Sequence, residues 1–462
     1  MVVVIGDNDN GMTTADDEIL SQIIKHYKEM KFKNLILILG LMFSSQVFAQ
    51  NEALPMLVKQ ALEYSPKVKE QQQLLEAGDY RIKVLESNTK PQINGETGYV
   101  RLDPVAKASF KLPNGTEQIL QFQPNNNYNT NVNGSYVIYD WGKFKANVQK
   151  TLLDIQQQKE GIESLKHGLA YQVTQLFYSI VYIQKAIAVQ EDQMKLVEEN
   201  GKIIADKIKN GDALEFDALQ VKVRSKNAEL RLVDLKGQLE KQYIFLSFLT
   251  GSDARKVIGS KADLNFNFYN ENSQSSYNEV ISGNLDLKIL QARENALQQD
   301  VKVASMAQLP QLAANAALGV RNGFQPNIEE WRLNTLLGVK LVVPIYTGKR
   351  STYNTQIAKI NLEANKQNAE FQKMQINRDI QNALNDINVA KQKKELAAQN
   401  ILQAEYTVKL AKVRLENGVS TPLEIQAAET GLEESKFSLL QYDYQALMAK
   451  IEIAKLAGLK FW

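Results

Sequence analysis

The chain has 462 residues, 44% of them hydrophobic and 23% charged, with a formal net charge of +2. That balance supplies no basic surface for nucleic acid, and the length allows two or three ordinary domains. There is no cysteine and there are only two histidines, His26 and His167, which excludes disulfides, thiolate nucleophiles, a lipidated cysteine and any histidine-rich metal site.

The first element in chain order is an export signal. Met30-Lys31-Phe32-Lys33 is basic, Leu35 to Phe43 is apolar, and SSQVFA with Val47 and Ala49 prepares a cut before Gln50. This is the layout of a secretory signal peptide over 30–49, too short to span a bilayer stably. Residues 1–29 then read as an upstream extension outside the native structure. Without the first 49 residues, which hold four Lys/Arg and six Asp/Glu, the chain keeps 50 basic and 46 acidic residues and His167 as its sole histidine. No run of about 18 apolar residues remains, so any membrane crossing falls to strands.

From Glu52 to Lys90 the sequence is helical in composition, interrupted by Pro55, Pro66 and Gly78. A strand is expected over 92–101, followed by RLDPVAKASFKLPNGTEQILQFQPNN, which reads as an exposed loop, and by a second strand over 130–139 in which Asn131, Asn133 and Ser135 alternate with Val132, Gly134, Tyr136 and Ile138. YDWGK then leads into a helix from Lys143 to Lys209. Asn210-Gly211 supplies the left-handed residue that ends it, and Asp212 with Glu215 is expected to cap the next helix, giving an αα-hairpin with its tip at 210–214.

The pattern then repeats. Leu285 to Gln311 pairs with Pro66 to Gln92 at an offset of 219, Gly348 of PIYTGKR pairs with Gly142 at 206, and Asn417-Gly418 pairs with Asn210-Gly211 at 207, as does Glu424 with Asp217 and Gly458 with Gly251. One supersecondary unit used twice, over 50–260 and 261–462, explains these pairs. The second unit carries strands over 311–321 and 333–343, a breaker-free helix from Lys349 to Asn417, and a tip at 417–422. In that tip Thr421-Pro422-Leu423-Glu424 combines an N-cap, a first-turn proline and a capping-box glutamate. Helices of more than 60 residues extend about 90–100 Å.

The four strands are about ten residues long, enough to cross a bilayer when tilted. Tyr99, Tyr136, Tyr139, Trp141, Phe324, Trp331 and Tyr346 lie at their ends, where an interfacial girdle would place aromatics. Periodicity alone also fits two amphipathic hairpins of an α+β domain. If the strands do lie in lipid, four cannot close a sheet, and several chains must share one barrel.

The signal peptide, the doubled helix–hairpin–helix unit, the YDWGK and PIYTGKR junctions and the Asn-Gly tips ahead of LEIQAAETGLEES resemble the TolC family of outer-membrane efflux proteins, from about Glu52 to Trp462. The resemblance implies a mainly α fold with a small membrane β part. It implies a homotrimer whose protomers give four strands each to a 12-stranded barrel in outer-membrane lipid and whose helices form a periplasmic tunnel. It implies a duct that works with a periplasmic adaptor (a membrane fusion protein) and an inner-membrane transporter, without catalysis, cofactor or nucleic acid. The adaptor-contacting positions would be Asn210, Gly211, Asp212, Asn417, Gly418, Ser420, Thr421 and Pro422, and the aperture residues Glu424 and Asp217. Tyr139, Trp141, Trp331 and Tyr346 would mark the membrane interface. Ala427 and Ser420 stand where members often carry an acidic and a basic residue, so a two-tier charged lock is not expected. Glu424 fits both a helix cap and an aperture ring, and Asp217 fits a solvated or interhelix position as well as an aperture. A non-transport coiled-coil scaffold is the competing function. An exported hydrolase has no GxSxG, no HExxH and no cysteine to work with.

Overall fold

The computed structural model describes residues 53–258, 263–264 and 277–462. The expected signal peptide, the upstream extension and the exact boundary at 260 lie outside the described residues.

Two short helices open the fold, α1 (Ala53–Tyr64) and α2 (Pro66–Ser87). The break falls at Ser65, whose hydroxyl accepts from the Val68 N–H, with Pro66 in the first turn. After β1 (Gln92–Arg101), the stretch expected as a loop contains a hairpin of its own, β2 (Lys107–Lys111) and β3 (Glu117–Gln121). Its turn is carried by Asn114-Gly115 with Gly115 at φ +80, so the loop expectation is corrected. β4 (Asn126–Tyr139) begins four residues earlier than expected. Then come α3 (Lys143–Lys209) and α4 (Glu215–Thr250), the short α5 (Tyr277–Gly283), α6 (Leu285–Ser305), β5 (Gln311–Arg321), β6 (Arg332–Val342), α7 (Arg350–Glu416) and α8 (Pro422–Leu456).

α3 and α7 are both 67 residues long, about 100 Å each, and begin 207 residues apart. Their junctions correct the sequence pairing by one position. Left-handed backbone falls on Trp141 and Gly142 before α3, and on Gly348 and Lys349 before α7, so Gly348 matches Trp141 rather than Gly142. Asp140 fixes the first junction by accepting from the N–H groups of Gly142 (3.0 Å) and Phe144 (2.6 Å).

The rods pack with coiled-coil spacing. On α7, Ala383, Ala390, Ala397 and Ala411 are buried at multiples of seven residues, letting α8 approach closely. On α3 the buried positions Gln190, Gln193, Val197, Asn200 and Ile204 keep a 3.5-residue period but carry amides within the seam. Midway along the rods the main core joins α1 (Leu57, Val58) to the middle of α3 (Val173, Phe177, Ile180), the end of α4 (Leu246) and the end of α8 (Ile451). His167 serves this core. Its Nε2 lies 3.0 Å from the Leu459 carbonyl, its ring sits edge-on to Phe461 and Trp462, and burial lowers its pKa.

The four main strands form one antiparallel sheet in the order β1-β4-β5-β6, with β2-β3 as a separate pair. The outer neighbours β1 and β6 each present one unpaired edge.

Candidate functional site: an amphipathic sheet and two helical tips

Register decides what each face of the sheet offers. Successive rows across the four strands are Ile93–Gly134–Ala316–Leu337 and Gly95–Val132–Leu318–Thr335, flanked by Thr97–Thr130–Val320–Leu333. These rows make one continuous apolar face, open to the surroundings, with Leu337 87% exposed. On it the hydroxyls of Thr97 and Thr130 bond each other at 3.0 Å, so neither is left bare. The opposite face carries Asn94–Asn133–Ala317–Leu336 and Glu96–Asn131–Gly319–Asn334. A soluble protein hides such an apolar face, whereas a strand sheet in lipid displays it. One correction applies at the lower end, where a bulge between Val137 and Tyr139 puts Tyr139 opposite Leu312 and takes Ile138 out of phase.

The aromatics separate into two rows. At the end remote from the rods Tyr99 packs on Tyr128 (5.1 Å between ring centres) and Tyr128 stacks on Trp331 (5.3 Å). At the rod end Tyr139 meets Trp141 edge-on at 4.8 Å, and Tyr346 is 80% exposed. Eight residues of β4 separate Tyr128 from Tyr136, about 26 Å along the strand, close to the height of an apolar barrel band. Trp331 therefore lies in the row remote from the rods, and Tyr139, Trp141 and Tyr346 in the row beside them.

Both tips lie side by side at the far end of the rods, where Lys207 Nζ reaches the Glu416 carbonyl at 3.3 Å and Lys412 pairs with Glu199 at 3.2 Å. Each turn is the same Schellman closure. Gly211 N–H donates to Ile208 O and Asp212 N–H to Lys207 O, while Gly418 N–H donates to Leu415 O and Val419 N–H to Arg414 O. Gly211 (φ +84) and Gly418 (φ +75) sit in the left-handed region with nothing near an added Cβ, so backbone conformation alone demands glycine. Gly418→Val should therefore cost about 1–2 kcal/mol at the tip, raising amide exchange at 415–422 while leaving the core near Ile180 unchanged. Wild-type exchange rates at 415–422 would contradict this placement of the turn.

The caps differ from expectation in two places. Asp212 and Glu215 do not cap α4. Leu214 is the N-cap residue, and the Asp217 carboxylate accepts its N–H at 3.1 Å. Before α8, Thr421 Oγ1 accepts from the Glu424 N–H (3.4 Å) as expected, but the Glu424 carboxylate accepts from the Ser420 hydroxyl (2.8 Å) with Arg414 at 3.9 Å. Glu424 is exposed, and Asp217 shares a small cavity with Pro422, Ile425 and Arg224.

The strongest polar feature near the tips had no signal in the sequence. Glu429 of α8 is 1% exposed and accepts from Asn200 of α3 and from Arg224 of α4. Burial raises its pKa against the opposing pull of Arg224. Seven residues along α4, Arg231 pairs with Glu433 at 2.8 Å, and burial raises that carboxyl too. Three helices from the two hairpins are thereby joined through one carboxylate. A pairing of this kind needs the tertiary packing, because no local motif links positions 200, 224 and 429.

Among the described residues no helix is long and apolar enough to cross a membrane, and no cluster of His, Cys, Asp and Glu is placed to hold a metal ion. A sheet with one apolar face between two aromatic rows, carried on helices of about 100 Å, defines a class: outer-membrane proteins that put strands in the bilayer and helical rods outside it. The chain matches the family described as "Outer membrane efflux protein" over residues 57–252 and 276–459, and it belongs to that family. It is 22% identical over 445 residues to the outer membrane protein TolC of Vibrio cholerae, covering 90% of this chain and 92% of the relative. Solved structures with the same fold include a membrane protein from Pseudomonas aeruginosa (TM-score 0.71, 17% identity, covering 88% and 93%) and the outer membrane protein VceC from Vibrio cholerae (0.69, 15%, covering 88% and 97%). CusC is similar at 0.72 and 15% identity, covering 88% of this chain and 92% of its own. The protein is placed in the outer membrane, with its helical rods on the periplasmic side. Members of this family are channel proteins rather than enzymes.

Proposed function

We propose that three copies of this chain form a passive export duct of a tripartite efflux or type I secretion system. The observation that carries this is the sheet: four strands with an outward apolar face and an unpaired edge on both β1 and β6. Lipid tolerates no open edge, so β6 of one protomer pairs with β1 of the next, and three protomers close a 12-stranded barrel. The rods supply matching faces for the same assembly. Phe216, Leu219, Val223, Leu230 and Val233 form an exposed stripe on α4, and Tyr353, Ile357, Ile360, Phe371 and Met374 form one on α7. Such stripes at spacings of three, four, seven and eleven residues are coiled-coil seams awaiting a neighbour. The two structural repeats, 50–260 and 261–462, each contribute two strands and one hairpin, behind a cleaved signal peptide at 30–49.

In this assembly the tips, from Asn210 to Asp212 and from Asn417 to Pro422, meet the periplasmic adaptor, and an inner-membrane transporter supplies the energy. Three copies of Glu424 and Asp217 surround the aperture near the three-fold axis. The competing scaffold function has no use for an apolar sheet.

Planar-bilayer conductance of the purified protein, with its mass measured in the same detergent, tests the duct. Discrete channels from a trimer are the expected result, and a soluble species that never inserts overturns it. Glu424→Gln should change single-channel conductance or divalent-cation block by about twofold or more, because three like charges near one axis gather cations. Unchanged conductance and block would leave the Glu424 carboxylate only its local bond from the Ser420 hydroxyl.

A further inference from the structure

We propose that the outward face of each protomer's sheet holds one acyl chain of a phospholipid from the periplasmic leaflet. The proposal rests on the membrane-embedded sheet and three-fold closure above. A hollow of about 640 Å³ lies across the four strands on the apolar face, over two successive rows of side chains. Its floor is made by the small residues Gly134, Ala314 and Ala316, and its walls by Ile93 and Tyr136 on one side and Leu337 and Val339 on the other. All the walls lie on one side of the sheet, because Ile93, Gly134, Ala316 and Leu337 form one row, and Tyr136, Ala314 and Val339 another two residues along.

Position fixes the occupant. The groove lies between the two aromatic rows, at the depth where hydrocarbon is the solvent. Its floor is on the central strands β4 and β5, and neighbouring protomers joining at the edges extend the sheet in its own plane without covering this face. Beyond the Gly134 and Ala316 row stand Val132 and Leu318, which fill the surface and end the dent toward the exterior. Toward the rods the groove reaches Pro91 and Tyr136.

There the surface changes character. Tyr136 also lines a second cavity of about 380 Å³ at the strand–helix junction, with Asn88, Thr89, Asn147, Lys143 and the Asp140 carboxylate around it. Thr89, Asn147 and Lys143 donate to the carbonyls of Glu86, Lys143 and Leu309, and Asp140 is held by the Gly142 and Phe144 N–H groups. Lys90 is exposed beside Pro91. An apolar slot that ends at a polar rim on the rod side has the polarity of a phospholipid, with its chain in the slot and its headgroup at the rim, within reach of the Lys143 and Lys90 ammonium groups. The polar end faces the rods, so the lipid comes from the leaflet on the periplasmic side. Buried chain length sets the retention, since each methylene removed from the detergent-accessible surface adds to the affinity.

The test is native mass spectrometry of the detergent-purified trimer supplied with dipalmitoylphosphatidylglycerol. Three retained lipids per trimer are expected. Filling the slot with Gly134→Val and Ala316→Leu should lower retention at least fivefold while trimer mass and conductance stay the same. A Cβ at position 134 has its nearest neighbour, the Ala316 carbonyl, at an ordinary 3.8 Å, so the substitution is sterically mild. Ala314→Leu alone should act in the same direction, and Ala313→Leu on the opposite face should leave retention unchanged. A conducting trimer that retains no lipid, or a filled variant that keeps all three, overturns the groove and leaves the duct standing. A protein that forms neither trimer nor channel overturns both.

Discussion

Glu429→Ala should be among the most damaging single substitutions in the rods, lowering stability by about 3–5 kcal/mol. The residue lies at 1% exposure between three helices, and its loss leaves Arg224, itself 15% exposed, and the Asn200 amide without their acceptor. One nitrogen of Arg224, Nη2, already has no partner within the protein. The cost comes chiefly from the stranded guanidinium rather than from the lost bond, so removing both charges should restore much of the loss. Arg224→Met with Glu429→Leu is accordingly expected to recover at least half of the deficit in thermal midpoint. A single Ala variant that melts with the wild type would show that the pair is not buried.

The same carboxylate has a signed pH dependence. Burial holds the folded pKa of Glu429 above its ordinary value of 4.5 despite Arg224. A raised carboxyl pKa means that the fold binds this proton more tightly than the unfolded chain does. Its stabilising contribution is fully present below the ordinary Glu range and is lost as pH rises through the folded pKa. Wild type should therefore lose stability relative to Glu429→Gln as pH rises from about 4 to 7. Denaturation midpoints of the two proteins across that range check this, and a constant difference would contradict a raised pKa.

The parts of the molecule that were legible in the sequence share a physical property: their signal is local. Lys143–Lys209 is recovered residue for residue because Gly142 opens it and Asn210-Gly211 closes it. The strand at 311–321 is recovered because its side chains alternate with period two, and β1 matches the expected 92–101 although its alternation is weaker. The hairpin at 107–121 was legible too, through Pro113-Asn114-Gly115 between alternating residues, but the length difference between the two halves drew the reading toward a loop. Leu214 as N-cap was not legible, since leucine has no capping oxygen and the bond comes from Asp217 three residues later. The Asn200–Arg224–Glu429 cluster was invisible for a deeper reason. Each of these residues looks like a solvated position on its own helix, and only the approach of α3, α4 and α8 turns them into one buried site. Tip chemistry was readable at Thr421 and Glu424 because a turn concentrates it in sequence.

Gly319→Ala should abolish assembly, with at least a tenfold fall in the heat-modifiable, membrane-inserted form. Gly319 sits on β5 opposite Asn131 of β4 and Asn334 of β6. A Cβ there would collide with the Thr130 carbonyl oxygen and Asn131 Oδ1, and would stand 2.6 Å from Asn131 Cα. Two of those three atoms are backbone, so no side-chain rotation relieves the clash and the strands themselves must part. Overpacking of this kind costs about 3 kcal/mol, and here it falls on β4–β5, the ladder that joins the first half of the chain to the second within the sheet. Gly95 and Gly98 on β1 provide the comparison, because an added Cβ meets nothing within 4 Å at either position. Alanine at those two sites should assemble at wild-type levels, since it removes backbone freedom from the unfolded chain without a clash. Migration of heated and unheated samples on denaturing gels separates the cases. Normal accumulation of the Gly319→Ala barrel would mean that β4 and β5 do not pair in this register, and the apolar and polar faces derived from that register would fall with it.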